Sequence, residues 1–185
     1  MTYIVPVFST LNLLGVDLSS AGYDQPYTAT ASNPTYPEYP SAPFAIGTEI
    51  INSQSGKCIY ATAGGAVTIG DVVAITKLYS ANSITTTIAA SGNGLQLGVA
   101  LATLTTGQYG WMATEGVVGW VNVATATAYA SLWTTTTAGR LATSAQNGIT
   151  GNYKVSGIVV ATANTTAGAQ VSGILTNIAI ADAAS

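Results

Sequence analysis

Few residues of this chain can do acid–base or nucleophilic chemistry, and they are widely separated. The 185 residues include seven acidic residues, four basic residues, one cysteine and no histidine. Without an imidazole, Ser-His-Asp triads, Cys-His pairs and histidine metal sites are excluded. A glycosidase requires two facing carboxylates and no histidine. Glu49, Asp71 and Glu115 are the candidates, but no spacing favours a pair, so we interpret them as turn and surface acids.

The glycine-rich stretches lack the spacing of nucleotide-binding loops. Gly64-Gly65 and Asn93-Gly94 match neither the Walker nor the dinucleotide motif, and no helix is predicted after them. The acidic residues are too scattered for a calcium loop. Cys58 lies in a strand-like run and is interpreted as a small buried hydrophobic residue. We therefore predict no catalytic residue, no cofactor and no metal.

The strongest structural pattern lies in residues 97–123, around which we place the rest of the fold. Tyr109 and Trp111 are two residues apart, so on a strand they share one face. Residues 117–123 are rich in β-branched and aromatic side chains that suit a half-buried strand, and Glu115-Gly116 supplies a turn before them. We predict a hairpin here, with Tyr109, Trp111 and Trp120 as core aromatic residues.

Short strand-like runs, separated by Gly, Asn and Thr turns, fill the sequence from residue 46 onward. Many short strands with closely spaced turns are typical of a sandwich or barrel. Gly98, Gly157 and Gly173 each precede an apolar run, where glycine permits a bulge or close backbone approach. The predicted fold is all-β, with one compact β-sandwich or β-barrel domain over residues 46–185. The predicted strands are 46–52, 57–63, 72–79, 83–89, 95–102, 108–114, 117–124, 139–143, 153–163 and 169–180.

Residues 1–45 differ from this domain in composition. They contain all six prolines and half of the ten tyrosines. Because proline excludes helix and removes a ladder donor, residues 33–43 should be extended, close to polyproline II. A disordered linker is the alternative, but the aromatic residues favour an arm that lies on a partner surface or a neighbouring subunit. The residues expected to make that contact are Tyr23, Tyr27, Tyr36, Tyr39 and Phe44.

The charge content limits the classes of partner. Only 6% of residues are charged and the net charge is −3, against about 25% charged residues in a typical soluble domain. No basic stripe is present, so we predict no nucleic-acid partner. The sequence has no uninterrupted apolar run of about 18 residues, so we predict no membrane helix. So little charge favours association with other subunits. The weak signal-peptide pattern and the single cysteine fit synthesis in the cytoplasm.

Several short sequence segments, taken together and in their order along the chain, resemble the head decoration proteins, or capsid cement proteins, of tailed bacteriophages. Gly47-Thr48-Glu49 opens the domain, and Ala66-Val67-Thr68-Ile69-Gly70-Asp71-Val72-Val73 follows the Tyr60-Ala61-Thr62-Ala63 strand. Leu97-Gly98-Val99-Ala100, Gly107-Gln108-Tyr109-Gly110-Trp111 and the run from Thr134 to Leu141 complete the set. The resemblance covers about residues 46–180 and leaves out the arm.

The resemblance implies a non-enzymatic protein on the outside of a phage head, made in the host cytoplasm. It implies the major capsid protein as a partner and self-association, most often as a homotrimer at a three-fold site. The alternatives are a head fibre or another capsid or coat structural protein, and a carbohydrate-binding β module with Trp111, Trp120 and Trp133 as stacking platforms.

Overall fold

A computed structural model describes residues 44–51, 56–90, 96–143, 152–164, 166 and 168–183. The predicted arm, apart from Phe44 and Ala45, lies outside these residues. Within them the fold class is confirmed, because the strands close into barrels and the single described helix is short. No helix among the described residues has the length and apolar character needed to cross a membrane.

The first barrel, called barrel 1, is built from five strands and carries one further strand at its edge. The elements are β1 (Glu49–Ile51), β2 (Lys57–Ala63), β3 (Val72–Ile75), β4 (Ser80–Ser83), α1 (Thr86–Ala90), β5 (Gln96–Ala100) and β6 (Tyr109–Ala113). The strand order is β1-β2-β4-β3-β5-β6, and β6 also pairs with β2, which closes the barrel. β2 and β4 are parallel, and the other pairs are antiparallel.

The second barrel, called barrel 2, follows directly in the chain. Its strands are β7 (Gly116–Thr125), β8 (Leu132–Thr134), β9 (Leu141–Ala142), β10 (Tyr153–Val160) and β11 (Ala169–Ala183). They close in the order β10-β11-β7-β9-β8, with β8 pairing back to β10. Only β7 and β9 are parallel.

The two barrels have the same topology. In chain order, β2, β3, β4, β5 and β6 correspond to β7, β8, β9, β10 and β11, and each pairing of barrel 1, including its one parallel pair, recurs in barrel 2. In barrel 1 an isolated β-bridge joins Val67, before β3, to Leu104, after β5. In barrel 2 the matching bridge joins Ala126, before β8, to Asn164, after β10. The described residues therefore form a tandem repeat of one five-stranded unit.

Backbone hydrogen bonds in the turns support this correspondence. The amide of Gly70 donates to the carbonyl of Ala100 at 2.8 Å, and the amide of Tyr129 donates to the carbonyl of Val160 at 2.9 Å. Both residues have positive φ, +85° at Gly70 and +60° at Tyr129. The same left-handed turn is thus kept in barrel 2, where a non-glycine side chain occupies it at a steric cost.

The barrels differ in how their strands are buried. Every residue of β3 is buried, as are all residues of β5 and β6 after the first, so these strands are covered on both faces. β10 and β11 instead alternate buried and exposed side chains over 158–160 and 171–176, the pattern of a sheet with one open face. The inside of barrel 1 holds one hydrophobic cluster, and a second cluster joins its outer face to the inside of barrel 2.

The hairpin predicted around Glu115-Gly116 is wrong. β6 pairs with β2 and β5, whereas β7 pairs with β9 and β11, so this turn joins two barrels and does not join two paired strands. The turn itself is present, with Gly116 at φ +97°. The strand predicted at 83–89 is also wrong, since Thr86–Ala90 is helical and β4 ends at Ser83.

Candidate interaction surface

An aromatic cluster lies on the outer face of barrel 1. The Phe44 ring centroid lies 5.4 Å from that of Tyr60 and 5.1 Å from that of Trp111. Tyr60 is also 4.9 Å from Trp111 and stacks at 6.2 Å on Tyr109. As predicted, Tyr109 and Trp111 share a face, whereas Met112 belongs to the cluster inside the barrel. Trp111 is buried in the core, Tyr109 packs against it, and Trp120 is half-buried on β7.

Phe44 was expected to contact a partner, but its ring packs on its own chain. It is half-buried against Tyr60 and Trp111, next to the first strand of the domain. The other predicted contact residues, Tyr23, Tyr27, Tyr36 and Tyr39, lie outside the described residues. Of the predicted contact residues, Phe44 is therefore the one that the structure describes, and it packs on barrel 1.

Asp71 lies in a polar junction between the barrels. Its Oδ2 accepts hydrogen bonds from the Thr68 amide at 2.9 Å and the Ser83 hydroxyl at 2.8 Å, and its Oδ1 accepts one from Asn122 Nδ2 at 2.8 Å. Because Asn122 is on β7, this carboxylate ties the turn before β3 to barrel 2. A buried carboxylate with three donors is a structural group, in line with the interpretation of Asp71 as a turn acid.

Two further contacts strengthen the same junction. Asn122 Nδ2 also donates to the carbonyl of Ile69 at 3.0 Å, and Gln170 Nε2 from β11 donates to that carbonyl at 3.1 Å. The amide of Val72 donates to the carbonyl of Gly139, whose own amide donates to the carbonyl of Ile84. Backbone and side chains of barrel 2 therefore fix the position of the barrel 1 turn.

The other two candidate acids lie at the surface. Glu115 Oε1 lies 3.2 Å from Lys57 Nζ in an ion pair, with both side chains close to half exposed. Glu49 is exposed on β1. In the described part of the chain, no three His, Cys, Asp or Glu side chains gather in a group suited to a metal ion. Cys58 is buried, as predicted.

An exposed apolar row crosses three strands of barrel 2. Val117 on β7 is in register with Ile174 on β11, which is in register with Val159 on β10. Their side chains are 54%, 45% and 38% exposed. The corresponding positions in barrel 1 are Cys58, Ala113 and Val99, which are in register in the same way and at most 2% exposed.

The surface around this row carries little charge. β7 contains no charged residue, and the charged residues of β10 and β11 are Lys154 and Asp182, towards the far ends of the strands. Ser172 and Thr176 flank Ile174 on β11 and are exposed. At Gly119 an added Cβ would meet no atom within 4 Å, so the face is open there. We call this face, defined by Val117, Ile174 and Val159, the open face.

The open face was not found from the sequence. Its three residues lie in runs that were correctly predicted as strands, but nothing in those runs tells which side faces water. No protein-family model and no curated protein matches the chain. The chemistry that the open face can do is association, because it offers apolar and hydroxyl groups and no acid–base pair.

Proposed function

We propose that this protein is a non-enzymatic structural component of a virion that binds the outside of a tailed-phage capsid and cements neighbouring major-capsid subunits. The resemblance of residues 46–180 to head decoration proteins supports this proposal, as does the low charge of the chain. We further propose that it acts as a homotrimer, without a nucleic-acid or membrane partner, and that it is made in the host cytoplasm.

The observation that carries the proposal is the open face of barrel 2. Single exposed hydrophobic residues are normal, but these three are in register on adjacent strands and make a contiguous apolar strip that suits contact with a partner. In a cement protein such a strip lies against other subunits of the shell. The polar junction at Asp71 suits this role, because it holds the two barrels in one arrangement and lets the pair act as a rigid clamp.

The mechanism is mass action. A protein that binds the assembled shell, and does not bind separate capsid subunits, stabilises the shell by RT ln(1 + [L]/Kd), about 2.7 kcal/mol for each site at a hundredfold excess over Kd. No covalent step is required. The barrels contribute a preorganised surface, so little conformational entropy is lost when they bind.

Co-sedimentation with capsids tests this function. The protein is mixed with assembled capsids that lack it, and in parallel with unassembled major capsid protein. We expect saturable binding to the assembled capsids alone, and a higher temperature for capsid disruption after binding. Equal binding to unassembled subunits, or binding that leaves the disruption temperature unchanged, would reject the cementing role.

A carbohydrate-binding module is the second candidate, since Trp120 and Trp133 are both partly exposed. Trp111, the third proposed platform, is 3% exposed in the core and cannot stack on a sugar. A glycan-binding screen separates the two functions. Binding that is lost in Trp120→Ala or Trp133→Ala, without any capsid binding, would favour the carbohydrate module. Electron micrographs of decorated virions distinguish a cement protein from a head fibre.

A further inference from the structure

The tandem repeat shows how the chain treats the same sheet face in two places. In barrel 1 the outer face of β2, β5 and β6 is buried, and Phe44 packs there against Tyr60 and Trp111. Barrel 2 covers much of that face, and Phe44, the last aromatic residue of the Pro/Tyr-rich segment, covers the part formed by Tyr60 and Trp111. In barrel 2 the matching face keeps Val117, Ile174 and Val159 exposed.

The open face lacks the aromatic residues that fill its counterpart. Trp111 lies two residues before Ala113 on β6. Two residues before Ile174 on β11, the corresponding position is occupied by Ser172. The β7–β11 register shifts between Val171 and Gly173, and nearby Gly119 leaves open space above the strand. A shallow apolar surface beside a glycine accommodates an aromatic ring supplied from elsewhere.

The sequence before Phe44 contains a segment with matching chemistry. Residues 34–43 read PTYPEYPSAP, with a proline at every third position, and their one charged residue is Glu38. The proline pattern predicts polyproline II, which repeats every three residues, and in that conformation Tyr36 and Tyr39 would be on one side of the segment, about 9 Å apart. The row from Val117 through Ile174 to Val159 spans two strand spacings, about 10 Å. The two tyrosine rings thus fit the width of the row.

We propose that residues 34–43 of one copy dock on the open face of a neighbouring copy, with Tyr36 and Tyr39 against the row centred on Ile174. This inference rests on the homotrimer of the proposed function. A segment from one copy on a face of the next is a head-to-tail contact, which closes into a ring when it repeats around an axis. The proline-rich segment loses little conformational entropy on docking.

Disulfide trapping in the full-length protein tests the contact. Ile174→Cys protein is mixed with Tyr39→Cys protein and oxidised mildly, and products are separated without reductant. Because each introduced cysteine is on a different chain and the native Cys58 is buried, a cross-linked dimer that contains both variants reports docking between copies. We expect on the order of tenfold more of this dimer than from Leu78→Cys mixed with Tyr39→Cys, given the high effective concentration at a docked site. Leu78 is 81% exposed on barrel 1 and serves as the matched control.

A second measurement does not depend on the introduced cysteines. Sedimentation of Ile174→Ser should show loss of the oligomer, whereas Leu78→Ser should sediment as the wild-type protein does. Cross-linking no greater than in the Leu78 control would overturn the docking. An internal cross-link in the Ile174→Cys, Tyr39→Cys double variant, without cross-linked dimers in the mixture, would show that the segment docks on its own chain, and would overturn the proposal. If the arm does not dock on a neighbouring copy but the wild-type protein still binds capsids, the cement function stands and only the docking proposal is rejected.

Discussion

Ala113 and Ile174 occupy the same position in two copies of one structural unit, yet one is buried and the other faces solvent. Ala113 lies between Cys58 and Val99, and Ile174 lies between Val117 and Val159, each on the strand that closes its barrel. Ala113 is 2% exposed and Ile174 is 45% exposed. The two copies of the unit therefore share a topology but differ in which apolar side chains they leave exposed to a partner.

This difference in burial predicts that substitutions at the two positions change stability by different amounts. Ala113→Ile inserts three carbons into a packed cluster and should lower the free energy of unfolding by about 1–3 kcal/mol, because overpacking forces neighbours to shift. Ile174→Ala removes a partly exposed side chain and should change stability by less than about 1 kcal/mol. Urea denaturation of both variants measures the contrast. A cost at Ile174 equal to that at Ala113 would show that the open face is part of the core of the isolated protein.

Local patterns identified most strands but not their partners. β2 matches its predicted bounds, since the sequence from Lys57 to Ala63 is a continuous strand-like run between glycines. The pairing of β2 with β6 joins segments about fifty residues apart, and nothing local specifies such a closure. The predicted hairpin failed for this reason. The short strands β4 and β8 were missed because Ser80–Ser83 consists of small and polar residues and Leu132–Thr134 lies between runs of Ala and Thr.

The glycines that precede apolar runs in the sequence do not reveal the structural repeat. Of the three glycines that precede apolar runs, Gly98 on β5 and Gly157 on β10 lie on corresponding strands, whereas Gly173 lies on β11, which corresponds to β6. Gly98 and Gly157 are also one residue out of step, because Val99 corresponds to Val159, so the glycine pattern does not follow the repeat. Likewise, Asp71 was correctly interpreted as a turn acid, but its contact with Asn122 depends on the packing of two barrels and has no local signal.

The Asp71 junction predicts a large cost when the carboxylate is removed. Asp71→Ala removes the acceptor of the buried Ser83 hydroxyl, one of the two acceptors of the Asn122 amide, and the acceptor of the part-buried Thr68 amide. We expect a loss of about 3–5 kcal/mol in the free energy of unfolding, because each orphaned buried donor costs about 1–3 kcal/mol. Glu49→Ala, at an exposed carboxylate, is the control and should change stability by less than about 0.5 kcal/mol. Similar melting temperatures for the two variants would contradict the structural role of Asp71.

Substitutions at three glycines separate the cost of backbone strain from the cost of steric overlap. Gly139 has φ +74°, and a Cβ there would overlap the Asp71 carboxylate. Gly107 has φ +83°, and a Cβ there would meet open space, whereas Gly119 has open space and no positive φ. Gly107→Ala should cost about 1–2 kcal/mol from the left-handed backbone alone. Gly139→Ala should cost more than Gly107→Ala, and Gly119→Ala should be neutral or slightly stabilising. Thermal denaturation of the three variants gives the order, and a smaller loss at Gly139 than at Gly107 would contradict the close approach to Asp71.

The contact of Phe44 with the core sets where the arm can be removed. Deletion of residues 1–43 keeps the Phe44 ring on Tyr60 and Trp111, so the melting temperature of the isolated protein should be similar to that of the full chain. Deletion of residues 1–44, or Phe44→Ala in the full chain, removes a half-buried ring and should cost about 1–3 kcal/mol, below the 3–5 kcal/mol of a fully buried phenylalanine.

The same deletions test what the arm contributes to assembly. We expect deletion of residues 1–43 to weaken capsid binding by at least about tenfold, or 1.4 kcal/mol, because Tyr23, Tyr27, Tyr36 and Tyr39 leave with it. Phe44→Ala keeps those tyrosines and serves as the matched control, with a smaller loss of binding and a larger loss of stability. Capsid titrations and thermal denaturation of the same samples separate the two effects. Capsid binding by the truncated protein as tight as that of the full chain would make the arm a linker, and unfolding on deletion of residues 1–43 would mean that the arm belongs to the core of its own chain.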